Sequence, residues 1–197
     1  MKVFYMNGAG NDFMVMDARG LSADFSALAV ELCALRKADG FLAVGDSEQA
    51  DFKMIFYNSD GSQGEMCGNG ARCICRFAHD RGLVGDHMVF ETLAGLVSGW
   101  RLDENTYRVA LNLPTVLELN RMEDVSYVEL GNPGIPHAVV PMQGLQDCDT
   151  QALFRLGRRL RHYKDFPKGA NVNFYELIGP DHLYERTYER GVEDLTY

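Results

Sequence analysis

Turn chemistry cuts this chain into short apolar runs, and that restricts it to sheets joined by tight turns with few helices. Glycine, asparagine, aspartate and proline cluster at Asn7-Gly8-Ala9-Gly10-Asn11, Asn58-Ser59-Asp60-Gly61, Gly68-Asn69-Gly70 and Pro114, residues that favour the backbone conformations of turns. From Lys2 to Asp17 two apolar runs flank the first cluster, where Gly8 and Gly10 can supply positive φ angles, and a hairpin is predicted. A helix follows, capped by Asp24 or Ser22, with Leu28, Leu32 and Leu35 at helical spacing before Arg36-Lys37. Strands are predicted at Phe41 to Val44 and Phe52 to Tyr57. Ala71 to Arg81 reads as a helix starting at or just after Cys67, with Cys73, Phe77 and Ala78 on one side and Gly82 to stop it. Further strands are predicted at Met88 to Thr92, Leu96 to Leu102 and Tyr107 to Leu113. Pro114 ends this block, which divides the chain into domains 1–114 and 115–197. The second holds strands near Tyr127 to Leu130, His137 to Val140, Asn171 to Leu177 and Leu183 to Arg190, with a basic amphipathic helix from Thr150 to Tyr163 whose Arg158, Arg159 and Arg161 form its wet face.

Charge narrows the partners. With 19 basic against 28 acidic side chains the formal net charge is -9, without a basic block to track phosphates, so nucleic acid is not an expected partner. The apolar start Met1 to Met6 is too short for a signal peptide or a membrane span, and a cytoplasmic location is expected, with no membrane partner. The cysteines, at 33, 67, 73, 75 and 148, are odd in number and lack zinc-ribbon or redox spacing, so neither a disulfide scaffold nor a metal site is expected. Most read as small core hydrophobes. Cys73 and Cys75, two apart on a helix, point different ways and suit packing or surface.

Cys67 differs through its neighbours. At a helix N-terminus, unpaired N–H groups and the helix dipole favour negative charge and raise the thiolate fraction. The same N–H groups, made accessible by Gly68 and Gly70, can bind a carboxylate, so one short run could hold an amino acid's carboxylate and present a base beside its α-carbon. Asn69 adds an amide. Taken singly, Gly68-Asn69-Gly70 also suits a plain turn before a helix, and Asn11 and Asn58 suit turn formation. His137 suits a satisfied histidine at a strand start, and Glu189-Arg190 a solvated pair worth about 0 to 1 kcal/mol.

The ordered set Asn7-Gly-Ala-Gly-Asn-Asp-Phe13, Ala38-Asp-Gly40, Asn58-Ser-Asp-Gly-Ser62, Met66-Cys-Gly-Asn-Gly-Ala-Arg72, Glu91-Thr-Leu-Ala-Gly95, Pro136-His-Ala-Val139, Ala170-Asn-Val-Asn-Phe174 and Tyr188-Glu-Arg-Gly191 strongly resembles the diaminopimelate epimerase family. The resemblance implies an α+β fold of two pseudo-symmetric domains, each a mostly antiparallel sheet wrapped around a central helix. It implies a cofactor-independent isomerase that inverts an α-carbon through two cysteine acid/bases, with LL- to meso-diaminopimelate as the expected reaction, on the route to lysine and peptidoglycan. By matching positions Cys67 is one acid/base, Gly68 and Asn69 grip the substrate through the helix terminus, and Asn11, Asn58 and Asn171 contact its polar ends. Glu189 and Arg190 sit at the α-amino and carboxylate side, while His137 and Glu189 each support a thiol. The expected partner is a small amino acid; a homodimer is left open.

Three departures qualify the match. The family continues into a second motif, Ala-Cys-Gly-Thr/Ser-Gly, and a second central helix, whereas residues 1–197 end at Glu193-Asp194-Leu195-Thr196-Tyr197. The second domain is therefore expected to be incomplete, with an apolar sheet face left open to water or a partner, and Cys148 lacks the glycine-rich helix start that could replace the second thiol. The approach Arg36-Lys37 to Ala38-Asp39-Gly40 is abrupt, as is the end, so further segments and an intact mass above 22.1 kDa are expected; residues 1–197 acting alone are expected not to epimerise. Finally, Gly131-Asn132-Pro133-Gly134-Ile135-Pro136-His137 leaves either Asn132 or Ile135 at the position of a substrate-contacting asparagine. The rival readings are a non-catalytic amino-acid-binding remnant, an epimerase of a different amino acid and, more remotely, a redox-active thiol protein using Cys67.

Overall fold

A computed structural model describes residues 2–196, which fold as two compact units divided between Asn112 and Leu113. The first opens with β1 (Val3–Gly8) and β2 (Asn11–Asp17), an antiparallel hairpin. Its two turn residues, Ala9 and Gly10, have φ of 50° and 97°, the paired positive angles that match hairpin twist. The left-handed positions thus fall on Ala9 and Gly10 rather than on Gly8. Gly8 serves another purpose: a Cβ there would lie 2.7 Å from Cys73 Sγ and 2.8 Å from the Asn69 carbonyl oxygen.

Helix α1 (Phe25–Arg36) is capped by Asp24, whose carboxylate accepts the Ala27 N–H at 3.1 Å. The leucine row is not its buried stripe. Ala29 and Cys33 are buried against Phe41 and Ala43, whereas Leu35 is 71% exposed, because small side chains let the helix lie close on the sheet. Strands β3 (Gly40–Gly45), β4 (Phe52–Asn58), β5 (His87–Thr92), β6 (Gly95–Arg101) and β7 (Tyr107–Ala110) complete a sheet of order β1-β2-β3-β4-β5-β6-β7. Its β2/β3 and β4/β5 pairs are parallel, and α1 and α2 (Gly68–Asp80) are their crossovers, the long connection that parallel neighbours require.

The sheet wraps around α2, which touches both edge strands, β1 and β7. Gly70, Ala71, Cys73, Ile74, Cys75, Phe77 and Ala78 are all buried, so Cys73 and Cys75 both pack into the core although they point different ways. They meet Phe13, Leu42, Met54, Met88 and Phe90, each large side chain worth about 1.5–3 kcal/mol when buried. This packing fixes the axis of α2 and hence the place of its N-terminus.

The second unit repeats the plan in part. Strands β8 (Pro114–Met122), β9 (Val125–Leu130), β10 (Ile135–Pro141), β11 (Asn171–Gly179), β12 (His182–Glu189) and β13 (Asp194–Thr196) form a sheet of order β13-β12-β11-β10-β9-β8. Only β10/β11 is parallel, and α3 (Thr150–Arg161) is its crossover. Hairpin β9/β10, α3 and hairpin β11/β12 thus reproduce hairpin β1/β2, α1 and hairpin β3/β4. Pro114 opens a strand instead of ending a block; it sits at the start of an edge strand, where a missing N–H is tolerated. Ala138, Val140, Val172, Phe174 and Tyr188 bury one face against Leu153 and Leu160 of α3, and Gly157 lets the helix approach, since a Cβ there would lie 2.6 Å from Tyr188 Cβ. On the other face Val128, Leu130, Val139, Tyr175 and Leu183 line an open groove of about 400 Å³.

Candidate active site

Cys67 is the N-cap of α2. Its φ and ψ of -136° and 121° are extended, its carbonyl accepts the Ala71 N–H at 2.7 Å, and its Sγ accepts the Gly70 N–H at 3.5 Å. A sulfur accepting a backbone N–H at a helix N-terminus is in the setting that favours the thiolate. Gly68 and Asn69 are the first two helical residues, and their N–H groups precede any intrahelical acceptor, so the helix terminus offers donors next to the sulfur.

Two of the sequence-derived amides meet here. Asn11, at the start of β2 and 5% exposed, accepts the Asn69 side-chain N–H at 2.6 Å, and donates from its own Nδ2 to Asp39 at 3.4 Å. Asp39 also accepts the Asp12 N–H at 2.8 Å, while Arg72 donates to Asn69 Oδ1. Asn58 ends β4 opposite Gly40, which pairs in turn with Phe13 of β2. Its Nδ2 donates to Ser62 Oγ at 2.9 Å, and Ser62 Oγ donates to Asp60 at 2.6 Å.

The other thiols lie in different surroundings. Burial pushes Cys33 and Cys73 up to about 11 and Cys75 up to about 12, so all three stay protonated at neutral pH. Cys148 is half-buried, packs toward the α3 core and donates to the Asp149 carbonyl at 3.7 Å. Among the described cysteines Cys67 alone stands at a helix N-cap.

In the second unit the expected residues share one row. His137 of β10 pairs with Asn171 of β11, and the Val172–Tyr188 pairing sets Asn171 beside Glu189 of β12. Their neighbours Ala138, Val172 and Tyr188 point into the α3 core, so the row belongs to the opposite face. It is the topological counterpart of Phe13, Gly40 and Asn58. Arg190 follows, donating its backbone N–H to Asn171 Oδ1 at 2.8 Å and its guanidinium to the Lys168 carbonyl at 3.4 Å. Ile135, buried at the start of β10, stands two residues before His137 as Asn11 stands two before Phe13, whereas Asn132 is exposed in the preceding loop. An aliphatic side chain therefore fills the position equivalent to Asn11.

Sequence reasoning missed Asn173 as a partner of His137. Asn173 Nδ2 lies within 3.3 Å and 3.4 Å of the Ala138 and Asn171 carbonyls, which only accept, and 3.1 Å from His137 Nδ1. The amide nitrogen thus faces the imidazole, making Nδ1 the acceptor and placing the ring proton on Nε2. Burial lowers the His137 pKa below 6.5, with the Arg190 charge acting the same way, so the ring is neutral at pH 7. The i, i+2 spacing of Asn171 and Asn173 was the available signal, since it sets both on one face of a strand.

Known proteins fit this architecture. A family model described as diaminopimelate epimerase matches residues 3–114. The diaminopimelate epimerase of Aquifex aeolicus (strain VF5) is 40% identical over 220 residues, an alignment covering 100% of this chain and 76% of that protein. Among solved structures, a PhzF-family phenazine biosynthesis protein from Bacillus anthracis has a TM-score of 0.69 at 18% identity, with coverage of 98% and 74%. A probable proline racemase from Agrobacterium radiobacter K84 has a TM-score of 0.66 at 16% identity, with coverage of 94% and 69%. These two share the fold. No helix among the described residues is long and apolar enough to cross a membrane. With the family model spanning more than half of its residues and a relative this similar along its whole length, the chain belongs to the diaminopimelate epimerase family.

Proposed function

We propose that this protein is a cytoplasmic amino-acid epimerase that converts LL-diaminopimelate to meso-diaminopimelate, with Cys67 as one of two proton-transferring groups. The observation that carries the reading is the position of Cys67 as N-cap of α2, with its sulfur beside helix N–H donors. A substrate carboxylate on the Gly68 and Asn69 N–H groups brings its α-carbon next to Sγ. The thiolate takes the α-proton and becomes a thiol, and the C–H electron pair passes into the carboxylate, where the same N–H groups stabilise the growing charge. Positioned general bases of this kind contribute about 10²–10⁴-fold. Inversion then needs a proton from the opposite face. Cys33, Cys73 and Cys75 are buried and Cys148 packs toward α3, so none of them suits that role.

Asn11, Asn58 and Asn69 serve as substrate-binding amides around Cys67. His137, Asn171, Glu189 and Arg190 carry the charges and hydrogen-bonding groups that the ammonium and carboxylate of an amino acid require. His137 acts as a neutral Nε2–H donor, and Glu189 as an acceptor for an ammonium or a thiol proton. Incubation of the intact protein with LL-diaminopimelate, followed by chiral separation, is expected to yield the meso isomer, and Cys67→Ala is expected to abolish it. A folded intact protein that forms no meso isomer, or a Cys67→Ala variant that still does, would overturn the proposal.

A further inference from the structure

The side-chain amides of Asn69, in the first turn of α2, and of Asn11 belong to a hydrogen-bond chain that runs in one direction. It begins at the Arg72 guanidinium, which can only donate, and ends at the Asp39 carboxylate, which can only accept. Between them Arg72 donates to Asn69 Oδ1, Asn69 Nδ2 donates to Asn11 Oδ1 at 2.6 Å, and Asn11 Nδ2 donates to Asp39 Oδ2 at 3.4 Å. Neither amide can turn over without setting donor against donor or acceptor against acceptor. Both ends are anchored. Arg72 rides on α2, and Asp39 is held against β2 by the Asp12 N–H on its carboxylate at 2.8 Å and by its own N–H on the Asp12 carbonyl at 2.8 Å.

We propose that Arg72 and Asp39 are positioning residues that fix the amides of Asn69 and Asn11 with oxygens engaged and N–H groups outward. This rests on the functional reading above and deepens it. Each amide keeps a second Nδ2 proton, so beside the Gly68 and Asn69 backbone N–H groups the Cys67 half-site presents donors. Donors suit a carboxylate and repel an ammonium, so the chain's polarity selects which end of a zwitterionic substrate sits beside the sulfur. Asn58 follows the same rule: its Nδ2 donates into Ser62 and on to the acceptor-only Asp60. Neither Arg72 nor Asp39 touches the reacting atoms in this scheme. Their influence passes through the amides.

The test compares Arg72→Gln, whose amide can either donate or accept, with Arg72→Lys, which can only donate. In the intact, 15N-labelled protein, Arg72→Gln is expected to shift the side-chain NH2 resonances of both Asn69 and Asn11. It should raise KM for LL-diaminopimelate about tenfold with kcat within about twofold, as loss of binding shared equally by ground state and transition state requires. Arg72→Lys should keep both resonances and return KM to within about threefold of wild type. Thermal unfolding checks that both variants are folded. Equal impairment of the two variants, or Asn11 and Asn69 resonances unmoved in Arg72→Gln, would overturn the proposal. Should the wild type fail to epimerise, the functional reading falls, while the resonances still decide the relay.

Discussion

Gly8→Ala tests how closely the β1 edge locates the α2 N-terminus. A Cβ at residue 8 would lie 2.8 Å from the Asn69 carbonyl oxygen and 2.7 Å from Cys73 Sγ, and ordinary contact begins at 3.4 Å. Relieving the carbonyl clash therefore needs a movement of about 0.6 Å, the difference between 3.4 and 2.8 Å, at the second residue of the helix that Cys67 caps. Overpacking of this kind costs about 1–3 kcal/mol. Catalytic groups tolerate only about 0.5 Å of displacement, and a 1 Å misplacement can cost about 10²-fold, so activity should fall about tenfold or more. Gly10→Ala is the control. With φ of 97° and nothing within 4 Å, it should lose about 1–2 kcal/mol to backbone strain alone and keep its activity. Urea unfolding followed by the single tryptophan, Trp100 in β6, reports on the same unit. A Gly8→Ala protein within about 0.5 kcal/mol of wild type, below what overpacking normally costs, would refute the reasoning. So would a Gly10→Ala protein with equal loss of activity.

Two further outcomes follow from the thiols and from His137. Iodoacetamide at pH 7.5 should label Cys67 first in the folded protein and spare Cys33, Cys73 and Cys75, whose burial holds them protonated; peptide mass mapping that finds Cys73 or Cys75 modified at a similar rate would contradict this. The folded-state pKa of His137 is lowered from 6.5, so its contribution to stability is complete above that value and is lost as pH falls through the lower folded pKa. Thermal unfolding of the intact protein between pH 7 and pH 5 should therefore decline more steeply in wild type than in His137→Gln, and parallel curves would count against the assignment.

The hairpin around Ala9-Gly10 and the start of α2 at Cys67 were legible because their determinants are local: turn residues and a cap within a few positions of one another. The buried face of α1 was not, since Ala29 and Cys33 win it over the leucines only because the sheet beneath favours close approach. Strand β8 escaped notice because most of its residues are exposed at a sheet edge, leaving no alternation to read. The end of α1 was also hidden, since Lys37 takes the left-handed C-cap position at φ of 55° where glycine is the usual choice. Within the site, Cys67 could be argued from its own neighbours. His137, Asn171 and Glu189 entered only through family resemblance, because what unites them is strand register across three strands. Arg72 and Asp39 stood inside quoted motifs, yet their role depends on hydrogen bonds spanning up to 58 positions, as from Asn69 to Asn11.

The most direct test of the central claim, that Cys67 moves the α-proton of a bound amino acid, is proton NMR of LL-diaminopimelate with the intact protein in deuterium oxide. The α-proton signal should disappear as solvent deuterium enters, and Cys67→Ser should slow that loss by about 10²–10⁴-fold, the range for removal of a positioned base. Binding of the substrate without exchange, or exchange that persists at the wild-type rate in Cys67→Ser, would contradict it.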